Sequence, residues 1–125
     1  MVLADTSIWI DHFRRSDLRL AQFLDRGDVA MHPFVIGELL LGHVPKIAEM
    51  MDDLRALPKA TVAGPDEVLR FISDPNLPGS GIGYVDAHLL AAAALTPGTF
   101  LWTRDKRLLA SARSLSLAAD IGEAR

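Results

Sequence analysis

Val2-Leu3-Ala4-Asp5-Thr6-Ser7-Ile8-Trp9 opens the chain and decides the fold class. Its three leading apolar residues, with no polar alternation, predict a short strand of a parallel sheet that is covered on both faces. Thr6 or Ser7 is expected to cap the helix that follows, which carries Ile8 and Trp9. A strand that passes directly into a helix is typical of an α/β fold.

The same alternation of strands and helices continues along the chain. Strands are predicted at residues 2–5, 29–32, 60–63 and 99–102. Helices are predicted after Ser7, around residues 18–24, from Pro33, from Pro45 to Pro58, from Pro65, at 83–95 and at 106–115. The pattern predicts one domain over residues 1–125, a three-layer α/β/α sandwich with a mainly parallel central sheet.

Composition narrows the class of protein. The chain has 125 residues, of which 50% are hydrophobic and 23% charged, as in an ordinary globular domain. It has no cysteine, which excludes disulfides, a thiol nucleophile and a thiolate metal site. The net charge of -3 does not indicate a dedicated nucleic-acid binder. The longest apolar run, residues 89–95, is too short to span a membrane, so we expect a cytoplasmic protein without membrane association.

Four carboxylates interrupt or end apolar stretches, and they are Asp5, Glu38, Asp86 and Asp105. Glu38 is the only charged residue in the segment 34–41, and Asp86 is the only one in the segment 82–88. A carboxylate that faces a core is costly unless it is paired or binds a cation. Four such acids in one small chain predict a single site for a hard divalent cation.

The predicted sheet brings these acids to one edge. Ligands of open parallel sheets bind beyond the carboxyl ends of the strands. Asp5 ends the first strand and Asp105 follows the last, while Glu38 and Asp86 lie near the starts of helices that can point to the same edge. Neither Glu38 nor Asp86 has an opposite charge three or four residues away on its helix. Mg²⁺ or Mn²⁺, which prefer carboxylate and water oxygens, is the expected ion.

Structural roles compete with this interpretation. Asp5 and Asp105 each also fit the N-cap position of a helix, and Glu38 and Asp86 also fit a buried pair with a distant Arg. Thr6, Ser7 and Thr103 fit helix caps as well as hydroxyls that orient a ligand. The four histidines show no metal-ligand spacing and are expected to be structural or at the surface; they are His12, His32, His43 and His88.

Three cationic residues lie next to Asp105 in the sequence. Arg104, Lys106 and Arg107 are consistent with a solvated helix start, but cations beside a metal site also suit a phosphate backbone. They are therefore candidates for contact with RNA.

Four segments, in this order, resemble a PIN-domain ribonuclease: Asp5-Thr6-Ser7, Glu38-Leu39, residues 81–89 (GIGYVDAHL) and residues 101–108 (LWTRDKRL). The last two segments most resemble the VapC group, the toxins of bacterial type II toxin–antitoxin modules. The resemblance extends from Val2 to about Leu117. Position by position, it implies that Asp5, Glu38, Asp86 and Asp105 form the family's catalytic and metal-binding quartet, with Thr6 and Thr103 as supporting hydroxyls.

The resemblance also implies an activity. It predicts a Mg²⁺- or Mn²⁺-dependent endoribonuclease that hydrolyses phosphodiester bonds in structured RNA of the tRNA or rRNA class. Such proteins are usually homodimers, and a small cognate antitoxin neutralises them. We expect the antitoxin to lie along the first two helices, on a groove formed by Trp9, Phe13, Leu20 and Phe23, and to send a cationic side chain toward the quartet.

Three other functions are compatible with parts of the pattern. A PIN-type nuclease that acts on DNA would have the same acids. An aspartyl-phosphate enzyme also has Asp at the end of the first strand, but it needs a second acid close by, where this chain has Thr6 and Ser7. A catalytically silent binding module would be expected to lose acids, and all four are present.

Overall fold

A three-stranded parallel sheet lies at the centre of the computed structural model, which describes residues 1–121. The strands are β1 (Val2–Ala4), β2 (Val29–Ala30) and β3 (Phe100–Trp102), in the order β2-β1-β3. Val2 pairs with Val29 on one side and with Phe100 on the other. The predicted α/β class and parallel sheet are confirmed, and the last four residues of the predicted domain 1–125 lie outside the described residues.

Helices connect the strands and cover the sheet. Within residues 1–121 they are α1 (Thr6–Arg14), α2 (Leu18–Asp25), α3 (Pro33–Leu41), α4 (Ile47–Arg55), α5 (Pro65–Ile72), α6 (Tyr84–Leu95) and α7 (Lys106–Ser114). Helix α6 packs on β3 and α5 packs on α6, while α1 contacts both β1 and α3. Within the described part of the chain, no helix is long and apolar enough to cross a membrane.

The core forms around the central strand. All three residues of β1 are buried, because both of its edges are paired and helices cover its faces. Every residue of the segment 87–93 in α6 is also buried, as expected for a helix that is apolar all round. These two elements position Asp5 and Asp86, which stand at the end of β1 and in the first turn of α6.

The predicted strand at residues 60–63 is wrong. The one bridge here is formed by the preceding residue, Lys59, with Met31, and Ala60 N donates a hydrogen bond of 3.0 Å to Met31 O. The chain then leaves the sheet edge, because Ala63 packs against Val68 of α5 in a small separate cluster. A second bridge joins Leu101 to Ala118 at the other edge and had no counterpart in the sequence prediction.

Two predicted helix starts are shifted. The helix expected from Pro45 begins at Ile47, because Lys46 takes a left-handed conformation with φ of 63°. Neither Thr6 nor Ser7 caps α1, since the N-cap is Asp5. The starts predicted at Pro33 and Pro65 are confirmed.

Candidate active site

Asp5 is held at the junction of β1 and α1. Its Oδ1 accepts a hydrogen bond from Ile8 N at 3.3 Å, which caps the helix, and another from Ser7 Oγ at 2.5 Å. Its Oδ2 accepts a hydrogen bond from Thr103 Oγ1. The residue is only 6% exposed, so burial raises the pKa of its carboxyl group, while the hydroxyls of Ser7 and Thr103 oppose that rise. Asp5 is therefore a fixed, buried carboxylate.

Asp105 occupies the equivalent place after β3. Its Oδ1 accepts hydrogen bonds from Arg107 N at 2.9 Å and Leu108 N at 3.0 Å, so it caps α7. This cap uses one oxygen, and Oδ2 remains available to a ligand. The N-cap and the ligand interpretations of Asp105 are therefore compatible. Both oxygens of Asp5 accept hydrogen bonds, so a ligand there would use a remaining lone pair of the carboxylate.

Glu38 and Asp86 approach from α3 and α6. Thr6 Oγ1 donates a hydrogen bond of 2.7 Å to Glu38 Oε1, which links the start of α1 to α3. Burial raises the pKa of Asp86, and the negative charges of Asp5, Asp105 and Glu38 raise it further. All three of the other acids thus lie within electrostatic range of Asp86.

The burial of the quartet differs from the sequence prediction. Asp5 is buried and Asp86 half-buried, but Glu38 and Asp105 are exposed. The apolar segment around Glu38 belongs to a helix with one face in solvent, as the 84% exposure of Leu41 shows. The prediction that all four acids face a core is therefore wrong for Glu38 and Asp105.

The chemistry of this donor set fits a hard cation. Every side chain of the quartet offers carboxylate oxygen, the donor that Mg²⁺ and Mn²⁺ prefer. Within residues 1–121, however, no three His, Asp or Glu side chains lie close enough together to hold a metal ion. Mg²⁺ keeps several of its waters and binds proteins through one or two carboxylates, so it does not require three converging side chains.

Three hydroxyls support the quartet. Thr6 contacts Glu38 and Thr103 contacts Asp5, in the places expected for supporting hydroxyls. Ser7 was not included in the predicted site, although its Oγ both donates to Asp5 and accepts from Arg104 N at 3.2 Å. Its place two residues after Asp5, within reach of that side chain, is the feature of the sequence that could have indicated this role.

The three cations near Asp105 are not equivalent. Arg104 forms ion pairs with Asp11 at 2.5 Å and with Asp17 at 2.6 Å, so nearby carboxylates already compensate its charge. Lys106 and Arg107 are exposed and form no ion pair within the described range 1–121. They remain candidates for contact with RNA.

Two histidines are buried between α3 and α6. His32 caps α3, since its Nδ1 accepts a hydrogen bond from Phe34 N at 3.0 Å. Its Nε2, like His88 Nδ1, has no hydrogen-bond partner among residues 1–121. Burial, together with the charge of His88, lowers the pKa of His32 to about 4. His32 is therefore neutral at pH 7.

The groove predicted for the antitoxin does not exist as described. Trp9 and Leu20 are 2% and 0% exposed and belong to the core, while Phe13 and Phe23 are half-buried against it. Helices α1 and α2 therefore bury apolar residues that the sequence prediction placed in a surface groove. Leu18, 72% exposed, is the apolar residue that this surface presents.

A parallel sheet with acidic side chains at its carboxyl edge defines a class of small α/β domains with an acidic site. Comparison with known proteins identifies the family within this class. The profile of the PIN domain family matches residues 2–114, so the chain belongs to the PIN-domain family. Ribonuclease VapC32 of Mycobacterium tuberculosis, in strains CDC 1551 / Oshkosh and ATCC 25618 / H37Rv, is 44% identical over 118 residues, which cover 94% of this chain and 95% of the relative. The predicted resemblance to VapC-type ribonucleases is confirmed.

The fold is also similar to that of a solved structure. The crystal structure of PAE2754 from Pyrobaculum aerophilum matches with a TM-score of 0.55 and covers 88% of this chain and 78% of its own. The identity is 22%, so this likeness supports the fold alone.

Proposed function

We propose that this chain is the toxin of a toxin–antitoxin module, a divalent-metal-dependent endoribonuclease that hydrolyses phosphodiester bonds in structured RNA. One observation carries the proposal: at the carboxyl edge of the sheet, hydroxyl groups hold two of the acids, Thr103 and Ser7 on Asp5 and Thr6 on Glu38. Membership of the PIN-domain family and similarity to a protein named Ribonuclease VapC32 support it. We propose that the chain acts in the cytoplasm, because its proposed substrate is cellular RNA.

The residues of the chain supply position and charge. Asp5, Glu38, Asp86 and Asp105 would hold Mg²⁺ or Mn²⁺. When bound, such an ion supplies an activated water and stabilises the charge that develops on the phosphate. Asp5 is preorganised by Ser7 and Thr103, which fix both of its oxygens, so little reorganisation is needed when the carboxylate binds its ligand.

The proposal is tested with Asp5→Asn and Asp86→Asn. Asn keeps the shape of Asp and, at position 5, can still cap α1. We expect both variants to remain folded and to lose cleavage of total tRNA in Mg²⁺ or Mn²⁺. A folded variant that cleaves at the wild-type rate would contradict the mechanism. Parallel incubation with flap DNA separates this function from a DNA-directed nuclease, which would cleave the DNA preferentially.

We further propose that two copies of this chain associate through α3. Leu40 and Leu41 are 44% and 84% exposed at the end of this helix, where large apolar side chains are unfavourable in a monomer. Leu41→Glu is expected to convert the dimer to a monomer in light scattering. A wild-type protein that is monomeric at micromolar concentration would contradict this assembly.

The cognate antitoxin is proposed to cover the α1–α2 surface. This surface presents Leu18 and a cavity of about 900 Å³ that includes Arg14 and Arg15. Arg104, which precedes Asp105, joins this surface to the segment of the quartet, because it pairs with Asp11 and Asp17. The carboxylates of the quartet would attract a cationic side chain from the partner in competition with metal. Loss of inhibition by the cognate partner in Leu18→Glu, with retained RNA cleavage, is the expected result; unchanged inhibition would place the antitoxin elsewhere.

A further inference from the structure

A cavity of about 380 Å³ lies between the start of α7 and the loop that leads into α6. Its polar lining consists of Asn76, Ser80, Lys106, Arg107, Ser111 and Ser114. Lys106 and Arg107 directly follow Asp105, which caps α7, so one element that carries the quartet also lines this cavity. A group bound at the start of α7 would therefore lie beside Asp105.

Two positive charges face this cavity without compensation. Neither Lys106 nor Arg107 forms an ion pair within the described part of the chain, and no acidic residue lines the cavity. Arg107 also lies directly against the loop: a Cβ built on Gly81 would be 2.9 Å from Arg107 Cδ. Gly81 has φ of 87°, so glycine allows both the turn and this close approach.

Neutral donors complete the lining. Ser80 Oγ is shielded from solvent and has no hydrogen-bond partner among residues 1–121. An unpaired buried hydroxyl is unfavourable, and a bound group with free acceptor oxygens would satisfy it. The Asn76 side-chain amide is exposed at the same cavity, whereas the Ser114 hydroxyl already donates a hydrogen bond of 2.8 Å to Ser111 O. Two cations with neutral donors and no carboxylate are the chemistry of a phosphate site.

We propose that this cavity binds a backbone phosphate of the RNA next to the phosphodiester at the quartet. The inference rests on the proposed ribonuclease function and adds to it a substrate subsite. The quartet itself repels RNA, because its carboxylates and the phosphates carry charge of the same sign. Lys106 and Arg107 offset this repulsion at the neighbouring phosphate and so fix the register of the strand.

The test is the salt dependence of RNA binding. Arg107→Gln and Lys106→Gln each remove one cation from the cavity, and Arg70→Gln removes one exposed cation from α5 as a matched control. Affinity for a labelled synthetic RNA hairpin is measured in EDTA at several salt concentrations. Each lost phosphate contact reduces the slope of log K against log salt by roughly 0.7–0.9. We expect this reduction in both cavity variants and not in Arg70→Gln.

A second variant keeps the volume of the cavity and changes only its charge. Asn76→Asp places a carboxylate where the phosphate is proposed to bind, and it is expected to weaken the hairpin at least as much as Arg107→Gln does. Cleavage of total tRNA by the wild type in Mn²⁺ is measured in parallel. If the wild type cleaves RNA but all four variants bind the hairpin with the affinity and the salt slope of the wild type, the subsite is overturned and the ribonuclease function stands. If the wild type neither binds nor cleaves RNA, both are overturned.

Discussion

Thr103 donates a hydrogen bond from Oγ1 to Asp5 Oδ2, across 98 residues of sequence. The same hydroxyl oxygen accepts a hydrogen bond of 3.0 Å from Asp105 N. One side chain at the end of β3 therefore positions the buried carboxylate at the end of β1 and the backbone of the residue that caps α7. The two strands are neighbours in the sheet, which makes this short connection possible.

Replacing this hydroxyl is expected to impair the site without removing any carboxylate. Thr103→Val has nearly the same shape but leaves Asp5 Oδ2 without its donor. Supporting interactions of this kind are worth about 10–100-fold in metal affinity or activity. We expect a loss of that size both in Mn²⁺ affinity by calorimetry and in RNA cleavage. Thr103→Ser, which keeps the hydroxyl, is the control and should behave like the wild type; equal losses in both variants would point to packing instead.

The metal-free quartet is expected to destabilise the fold at neutral pH. Burial raises the pKa values of Asp5 and Asp86, and repulsion within the quartet raises that of Asp86 further. Where a folded pKa is raised, the folded state binds more protons, so the free energy of unfolding falls as pH rises through the unfolded and then the folded pKa. Asp86→Asn removes one ionisable group and should raise the thermal midpoint of the metal-free protein at pH 7.

Binding of metal should make the wild type more stable than Asp86→Asn. An ion that binds only the folded wild type adds roughly 2.7 kcal/mol of stability at a hundredfold excess over Kd. Asp86→Asn is expected to lose most of that gain. Thermal melts of both proteins in EDTA and in millimolar Mn²⁺ provide the comparison. An equal shift on adding Mn²⁺ would show that the cation binds away from Asp86.

Acid is expected to unfold the protein through His32. Its folded pKa of about 4 is below its unfolded value, so the unfolded state binds the extra proton as pH falls. Stability is thus fully present above pH 6.5 and decreases between about 6.5 and 4, by about 3 kcal/mol for this group. His32→Asn keeps an acceptor for Phe34 N and should flatten this part of the curve in urea titrations. His43→Asn, at an exposed position, is the control, and a curve as steep in His32→Asn as in His43→Asn would refute the assignment.

Arg104 is expected to stabilise the fold through Asp17. Their 2.6 Å contact joins the segment after β3 to the start of α2, and Asp17 keeps only about a tenth of its side chain exposed. A hydrogen bond between charged groups in this setting contributes about 1–2 kcal/mol. A double-mutant cycle of Arg104→Gln and Asp17→Asn, followed by urea unfolding, should show coupling of that size, since Asn keeps the cap of α2. Additive effects would mean that the ion pair contributes nothing.

The sequence predicted the strands and helices that carry the site better than it predicted how deeply each acid is buried. Asp5 and Asp105 were located because an acid directly after a parallel strand lies at the carboxyl edge whatever the rest of the chain does. Glu38 was located from its apolar neighbours, yet it is exposed. An apolar segment forms a buried helix only when other elements cover all of its faces, and the sequence does not show that one face of α3 is left open.

The remaining errors arise from contacts between distant segments. Residues 60–63 have the composition of a strand, but the single bridge at Lys59 is followed by packing of Ala63 on α5, which withdraws the chain from the sheet. Trp9 and Leu20 were expected to line a groove at the surface. Both are buried, because α1 contacts β1 and α3 while α2 contacts β2, and the sequence does not show these contacts.

The two helix caps have a consequence for how such a gene loses its activity. Asp5 and Asp105 each start a helix, so most substitutions there remove a cap worth about 1 kcal/mol in addition to a proposed ligand. Glu38 caps no helix, whereas Asp86 accepts a hydrogen bond from the backbone of Gly83, the N-cap residue of α6. When cells escape a harmful copy by point mutation, substitutions at Glu38 will leave an inert chain that still folds, whereas those at Asp5 and Asp105 will more often leave a chain that is degraded.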